Sequence, residues 1–534
     1  MMLTNRYFFR FAARACRMEL DRIRHAAHCA QWLQRTVLGL SGSQERLSAM
    51  TPLLLRLGRH DGSPNTVLKM LEEVRRVAVV EAERVFELAA LTSLPLDAQM
   101  QASVQAADIT LEHLAQLYSV LHRQMDVALA MHRVIERAGN SLRSVLPLAR
   151  ALDAQSRRVA GLLRAQVVVS TEHWLDLARL GSRMRDTTYL DVNLRDPLTR
   201  LRPCNARALF IHPFLLQLAA SIDALPGQAL QIDAVCRRWA HRVGFRIDFG
   251  VAPRANPYGP TLVLDAGCHV RLDTHRLTKS LAREPHRADA DTASALSQAA
   301  LAALERAWTT PGPRRGPQPA DGREVRLCLG LPGPYLQAAR RSGQDGAAYS
   351  WGEYEHTPRP SRQSDSAALA ALFARAERAS WTSTDGDRLL LDRRSPLPSP
   401  ARDGLVALMA DAGQAAGGGG PGRLQLALIR SVGQLLGGGP SSHRIGVQTM
   451  PGVSEPVGIV DGGEAGGADG FLMTAGSGDD REATMFAPGG RLQDGARLRL
   501  RRDRADLTID VLARSGAGPG YERFRVRACG SGRF

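Results

Sequence analysis

The chain has 534 residues, 44% of them hydrophobic and 23% charged, so it can fold into several domains with buried cores. Its net charge of +16 would suit a polyanion as partner, but the composition also fits a GC-rich genome. Only Lys69 and Lys279 are lysines, and no long basic run or aromatic-interleaved basic patch is present. Nucleic-acid binding therefore rests on charge alone, and we do not expect it.

The seven cysteines are scattered and form no CxxC pair, which argues against a disulfide framework and against a zinc ribbon. The sequence lacks a run of about 18 apolar residues, so it predicts no transmembrane segment. Its first residues lack the apolar stretch and cleavage site of a signal peptide. These features predict a cytoplasmic protein without a metal or other cofactor.

Residues 1–242 have the apolar spacing of helices and predict a helical bundle. In the stretch SPNTVLKMLEEVRRVAVVEAERVFELAAL, Ser63 is a candidate N-cap and Pro64 suits the first helical position. Apolar residues of this stretch recur at helical spacing: Val67, Met70, Leu71, Val74, Val77 and Leu88. The helices follow no fixed period, which favours a bundle over a repeat array.

After the helices the pattern changes to short strands, and residues 243–339 are predicted to form a mixed α/β segment. Residues 340–375 are predicted to be a linker with a short helix, which the Ala-rich stretch SAALAALFARAERAS would form. Residues 376–534 contain many short strands between glycine-rich loops, a pattern typical of a small barrel. The expected fold class is α+β: an N-terminal helical bundle, a mixed central region and a C-terminal small antiparallel β-barrel.

Enzyme motifs are absent from the sequence: it contains no P-loop, no GxSxG elbow and no HExxH. We therefore expect no enzyme and no catalytic residues.

Two histidine-containing stretches leave alternatives open. In HAAHC, His25, His28 and Cys29 share one helix face and would suit either a metal or simple packing. In HVRLDTHRL, the alternation of a strand places His269, Arg271, Asp273 and His275 on one face, as either a metal or acid–base site or a cross-strand ladder of ion pairs.

Arginines are also concentrated in residues 481–534. On a strand face they would bind a small anion, or they would form a solvated surface that resists edge pairing.

The stretch RLQLALIRSVGQLLGGGPSSHRIGVQTM, residues 423–450, has two strand-like segments around a glycine-rich gap. The first contains Ala427, Leu428, Ile429 and Arg430, and the second contains Ile445, Gly446, Val447 and Gln448. These residues resemble the middle strands of a PilZ domain, the small bacterial β-barrel that binds cyclic di-GMP. The resemblance covers roughly residues 375–534, and it implies a bacterial signalling protein that binds cyclic di-GMP and transmits this to an unidentified protein partner.

The resemblance also implies a ligand site made of arginines before the barrel and a Ser-x-x-Gly turn on its first strands. Arg375 and Arg378 would supply the guanidinium groups, Ser383 and Gly386 the turn, and Arg430 a further contact. Arginine suits this ligand because it pairs bidentately with phosphate or guanine and stacks on bases.

This sequence departs from the family pattern in two ways. Its arginines are spaced RxxR rather than RxxxR, and Trp381 stands where the family has an acid or amide. The alternative is therefore a non-catalytic interaction scaffold whose degenerate PilZ-like barrel binds no nucleotide.

Overall fold

The computed structural model divides into two compact units, Met1–Gln318 and Pro319–Phe534. It describes residue 20 and residues 22–529, except 93–95, 133–140, 188, 195, 197, 199–203, 220–227, 251–255, 266, 284–297, 316–323, 331–376, 386–387, 395–403, 411–423, 436–441, 451–452, 461–467, 475–481, 491 and 502–505.

The first unit is mainly helical, as predicted. Its helices are α1 Ala26–Trp32, α2 Ser43–Leu57, α3 Pro64–Leu91, α4 Ala98–His132, α5 Ser141–Arg164, α6 Thr171–Arg185, α7 Ala206–Ala219 and α8 Gln228–Trp239. A π-helical turn, Leu33–Val37, follows α1, and a two-residue strand pair, β1 Asn193–Leu194 with β2 Cys204–Asn205, precedes α7.

Helix α3 begins where the sequence predicts. The Ser63 hydroxyl accepts a hydrogen bond from the Thr66 backbone N–H at 3.3 Å, and Pro64 occupies the first turn. The predicted stripe faces the bundle core through Val67, Met70 and Val74, whereas Leu88 is half exposed. The predicted helix and its N-cap are confirmed.

Helix α5 lies at the centre of a network of buried ion pairs. Arg75 of α3 is 1% exposed and pairs with Asp153 of α5 at 2.6 Å and with Asp196, which lies between β1 and β2. Arg150 of α5 reaches the same Asp196 at 3.0 Å. Arg158 of α5 holds Asp108 of α4 through two hydrogen bonds, of 2.6 and 3.1 Å. Ion pairs therefore connect α5 to α3, to α4 and to the segment at Asp196.

The network continues around two carboxylates near the end of α5, one partly buried and one buried. Glu83 of α3 pairs with Arg157 at 2.9 Å and with Arg164 at 2.6 Å. Asp233 of α8 accepts from Arg237 at 2.8 Å. Burial alone would raise the pKa of Glu83, but Arg164, Arg237 and Arg157 outweigh burial and lower it to about 2. The carboxylate is thus charged at neutral pH.

A four-stranded sheet completes the first unit. Its strands are β3 Gly244–Phe249, β4 Pro260–Asp265, β5 Cys268–Asp273 and β6 Gly312–Arg315, in the order β3-β5-β4-β6. Helices α9 His275–Arg283 and α10 Gln298–Thr309 connect β5 to β6. The sheet packs on the helices, since Phe245 of β3 contacts Phe210 of α7 with ring centroids 4.4 Å apart.

The second unit contains two closed six-stranded barrels. The first has β7 Glu324–Leu329, β8 Glu377–Asp385, β9 Arg388–Arg394, β10 Leu405–Ala410, β11 Leu424–Gln434 and β12 Ser442–Thr449. The second has β13 Val453–Val460, β14 Ala468–Thr474, β15 Glu482–Ala487, β16 Arg497–Arg501, β17 Asp506–Gly518 and β18 Tyr521–Ala528. All strand pairs in both barrels are antiparallel.

The α+β fold class is confirmed, but two details differ from the sequence expectation. One barrel was expected over 376–534, whereas this range contributes to two barrels, and the first of them also uses β7 from the segment assigned to 243–339. The Ala-rich helix was expected to run to residue 380, but residues 377–380 belong to β8. Pairing of β8 with β7 and β9 outweighs the helix propensity of the alanines there. The earlier part of that stretch lies outside the described residues.

No helix among the described residues is both long enough and apolar enough to cross a membrane.

Replacing Arg75 by methionine should lower the free energy of unfolding of the helical region by about 3–5 kcal/mol, because Asp153 and Asp196 would lose a buried counter-charge. The matched control is Arg76→Met on the same helix, where a 56% exposed guanidinium pairs with Glu73. That change should lower the free energy of unfolding by at most about 0.5 kcal/mol. Urea unfolding followed by circular dichroism at 222 nm measures both, and equal costs for the two variants would contradict the network's role.

Candidate functional site

The two strands that resemble a PilZ domain are neighbours in the first barrel. β11 and β12 pair antiparallel, with Leu428 opposite Gln448 and Ile429 opposite Val447. Alternate residues of both strands are buried in the barrel core, which contains Leu327, Leu391, Val406, Leu408, Ala427, Ile429, Ile445 and Val447. The apolar part of the motif therefore forms the barrel core.

Arg430 lies at a β-bulge of β11, between Ile429 and Ser431. Its Nε donates a hydrogen bond to the Gln448 side-chain oxygen at 2.9 Å. The Arg at the end of the first segment and the Gln at the end of the second thus contact each other across the strand pair. A bulge interrupts the backbone ladder, and this side-chain bond ties the two strands together there.

The candidate ligand residues fall on two sides of the barrel. Arg378 and Ser383 both lie on β8, whereas Arg430 lies on β11. In the strand order β10-β11-β12-β9-β8-β7, β11 and β8 are three strands apart in either direction around the closed barrel. Arg430 is therefore on the opposite wall from Arg378 and Ser383. The other two candidates, Arg375 and Gly386, lie outside the described residues.

Strand β8 has an irregular register between its two candidates. A bulge separates Trp381, which is opposite Leu391, from Ser383, which is opposite Leu390. Arg378 is directly opposite Arg326 of β7. Two arginines at directly opposed positions destabilise a strand pair unless an anion or another group compensates their charge. Arg326 was missed in the sequence because cross-strand neighbours are known only once the strand pairing is known.

The arginine-rich strands of the second barrel have acidic partners. Arg497 of β16 donates two hydrogen bonds to Asp510 of β17, at 2.7 and 3.4 Å. Arg514 pairs with Glu522 at 3.0 Å. Arg497 and Arg514 are more than half exposed. Their pairing fits a solvated strand face better than a dedicated anion site.

The stretch around Cys29 has the features of packing rather than of a metal site. The rings of His25 and His28 stack with centroids 3.7 Å apart, and the Cys29 thiol is buried and donates to the Met70 carbonyl at 3.7 Å. Burial raises the pKa of Cys29 to about 12, with a smaller contribution from Glu73. A thiol in that state is a poor metal ligand. Among the described residues no cluster has the composition of a metal site.

Residues 27–248 match the family model described as cyclic-di-GMP receptor FimW, N-terminal domain. This segment of the chain is therefore similar to the N-terminal domain of that receptor family. The FimW-type segment runs from α1 into β3, so it contains the buried ion pairs of α5 and leaves out both barrels. None of the curated proteins matches the chain significantly.

The predicted relation to cyclic di-GMP receptors with a large helical N-terminal region is confirmed by this match. The signal for it in the sequence came from the barrel strands β11 and β12, whereas the family match lies in the helices. The resemblance of the barrel strands and the family match therefore lie in two separate parts of the chain.

The Arg430–Gln448 bond should stabilise the first barrel. In a double-mutant cycle of Arg430→Met and Gln448→Met, the coupling should be about 0.5–1.5 kcal/mol, which is the net value of one hydrogen bond. Chemical unfolding followed by near-ultraviolet circular dichroism measures it. A cycle that pairs Arg430→Met with Arg497→Met of the second barrel is the control and should be additive. A coupling near zero in the first cycle would show that the bond contributes nothing.

Proposed function

We propose that this protein is a cytoplasmic, non-catalytic receptor that binds cyclic di-GMP on the first barrel and transmits the binding to a partner protein. The observation that carries the proposal is the combination of a receptor-type N-terminal domain with a barrel whose β11–β12 pair has PilZ-like residues in register. Each part alone supports only a weaker statement, because fold does not imply function.

The proposed ligand site is the β8 side of the barrel, with Arg375, Arg378, Ser383 and Gly386. Cyclic di-GMP has two phosphates and two guanines, and guanidinium groups suit both. Arg326 adds a second guanidinium position directly opposite Arg378. A phosphate of the ligand would compensate like charges at these two opposed register positions, which supports a site beside β7 and β8.

Arg430 has a different place in this proposal. It lies on the opposite wall from β8 and already donates to Gln448. We assign it a supporting role in the barrel rather than a ligand contact.

Signal transmission requires that cyclic di-GMP bind two conformations of the protein with different affinity. In the proposed mechanism, binding of the ligand to the arginines at the start of the barrel changes the surface that a partner protein contacts. A cytoplasmic location agrees with the state of Cys29, Cys236, Cys268 and Cys529, which are free thiols. The receptor would need no cofactor besides its ligand.

The second candidate function is a scaffold whose barrel binds no nucleotide. Trp381 favours it, because an indole donates one hydrogen bond and accepts none, so it cannot replace the acid or amide that would read a guanine. The receptor requires the arginines at β8 for binding cyclic di-GMP, whereas the scaffold does not bind this ligand.

Calorimetric titration of the full chain with cyclic di-GMP tests the receptor function. Saturable binding should weaken at least about tenfold in an Arg375→Ala, Arg378→Ala double variant, because each lost charge-assisted pair is worth about 1.5–3 kcal/mol. Arg326→Ala should weaken binding in the same direction.

Arg499→Ala is the matched control, since this 59% exposed arginine lies on a strand of the second barrel. It should leave the affinity unchanged, and GTP should not compete. No binding by the folded protein at near-millimolar cyclic di-GMP would favour the scaffold instead.

A further inference from the structure

The sheet of the first unit has a polar face that the proposed receptor function does not use. Three neighbouring strands place Arg246, Arg271 and Thr261 in one cross-strand row, and Asp248 and His269 lie in the next row of the same face. Side chains two residues apart on a strand share a face, so these five residues adjoin one another.

The two arginines of this face share a single carboxylate. Arg246 Nε donates to Asp248 Oδ1 at 2.9 Å, and Arg271 Nε donates to Asp248 Oδ2 at 2.7 Å. His269 Nε2 lies 3.5 Å from the same carboxylate. Each guanidinium therefore uses one of its five N–H groups here, and within the described part of the chain its terminal nitrogens have no partner. Asp273, the next residue of the face, ends β5 and accepts from the backbone N–H of His275, the first residue of α9.

Thr261 of β4 lies opposite Arg271 in this row. It is 1% exposed, and its hydroxyl has no hydrogen-bond partner within the described part of the chain. An unsatisfied buried hydroxyl destabilises the folded state, so its presence beside Arg271 calls for an acceptor. A hydroxyl and two guanidinium groups in one row all donate, and what they lack is an acceptor with several oxygens.

We propose that this face of β3, β4 and β5 binds a phosphate group, with Arg246 and Arg271 at the rim and Thr261 at the floor. Arg246 is 70% exposed and Arg271 20% exposed, so the anion would enter from their side. A phosphate has enough oxygens to accept from both guanidiniums and the hydroxyl together, whereas a carboxylate has two. Asp248 would hold the two arginines in place through their Nε atoms. The site is in the first unit and is separate from the barrel site proposed for cyclic di-GMP.

The test is isothermal titration of the full chain with inorganic pyrophosphate, beside three variants. Thr261→Val keeps the shape of the side chain and removes the hydroxyl, so it should weaken pyrophosphate binding about tenfold, the effect of one hydrogen bond to a charged group. It should also raise the thermal unfolding temperature of the ligand-free protein, because an unsatisfied buried polar group is removed. Arg271→Gln should weaken binding by at least as much.

Arg497→Gln is the control, since it removes a carboxylate-paired, exposed arginine from a strand of the second barrel. It should leave pyrophosphate binding intact. Equal losses in Arg497→Gln and Arg271→Gln would overturn the proposal in favour of unspecific charge attraction. Unchanged affinity in a folded, stabilised Thr261→Val variant would also overturn it, and would show that Thr261 is only a structural residue.

The ligand of this face could be cyclic di-GMP itself or another phosphate compound. A competition between cyclic di-GMP and pyrophosphate distinguishes them. Cyclic di-GMP should displace pyrophosphate from the Arg375→Ala, Arg378→Ala variant if the face binds the messenger's own phosphodiester. Inorganic pyrophosphate binding that cyclic di-GMP leaves untouched would assign the face to a different phosphate compound. Displacement and lack of displacement both support a phosphate site on this face. Neither result depends on whether the first barrel binds cyclic di-GMP.

Discussion

The helical region depends on the ion pairs that surround α5. Arg150, Asp153, Arg157, Arg158 and Arg164 all lie on this one helix, and they hold carboxylates or guanidiniums of α3, α4, α8 and the segment at Asp196. Burying charges costs desolvation energy that their mutual attraction only partly returns. Apolar side chains of similar volume at these positions would therefore stabilise the fold as well as the ion pairs do, or better. Charge pairs have a stricter geometry than apolar contacts. We interpret the network as a device that fixes the relative positions of the helices in the domain that matches the receptor family.

The helical region and the closed barrels would contribute to the proposed receptor in different ways. In a closed barrel every strand has two neighbours, so no backbone edge is left open for unspecific pairing. The interior of each barrel is filled by apolar side chains, which leaves the outer walls for binding. In the proposed account the wall around β8 binds the messenger, and the opposite wall at Arg430 stays structural.

Several parts of this fold could be predicted from the sequence. The N-cap at Ser63 and the apolar stripe of α3 depend only on local spacing, and they were predicted correctly. The β11–β12 pair was found because its residues have a recognisable pattern. The number of barrels was not predicted. Short strands with alternating residues have similar sequence patterns whichever strand they pair with, so the pattern does not show where one barrel closes and the next begins. Arg326 and the Arg430–Gln448 bond belong to cross-strand registers, which follow from pairing and not from local spacing.

The arginines of α5 show another limit of sequence analysis. Abundant arginine in the chain was explained by codon composition, yet many of these residues turn out to be buried and paired. Composition averages over surface and core, and it therefore cannot show which charges meet a partner. The same holds for Thr261, where a buried hydroxyl without a partner becomes visible only in three dimensions.

Hydrogen–deuterium exchange of the full chain, with and without saturating cyclic di-GMP, would show which strands or helices contact the messenger. We expect the ligand to slow exchange in residues around 375–394 and in the neighbouring strand β7, while exchange in β11 and β12 changes less. Protection confined to residues 27–248 would move the messenger site to the helical domain and contradict the barrel assignment. No change anywhere in the described barrel strands at saturation would contradict it as well.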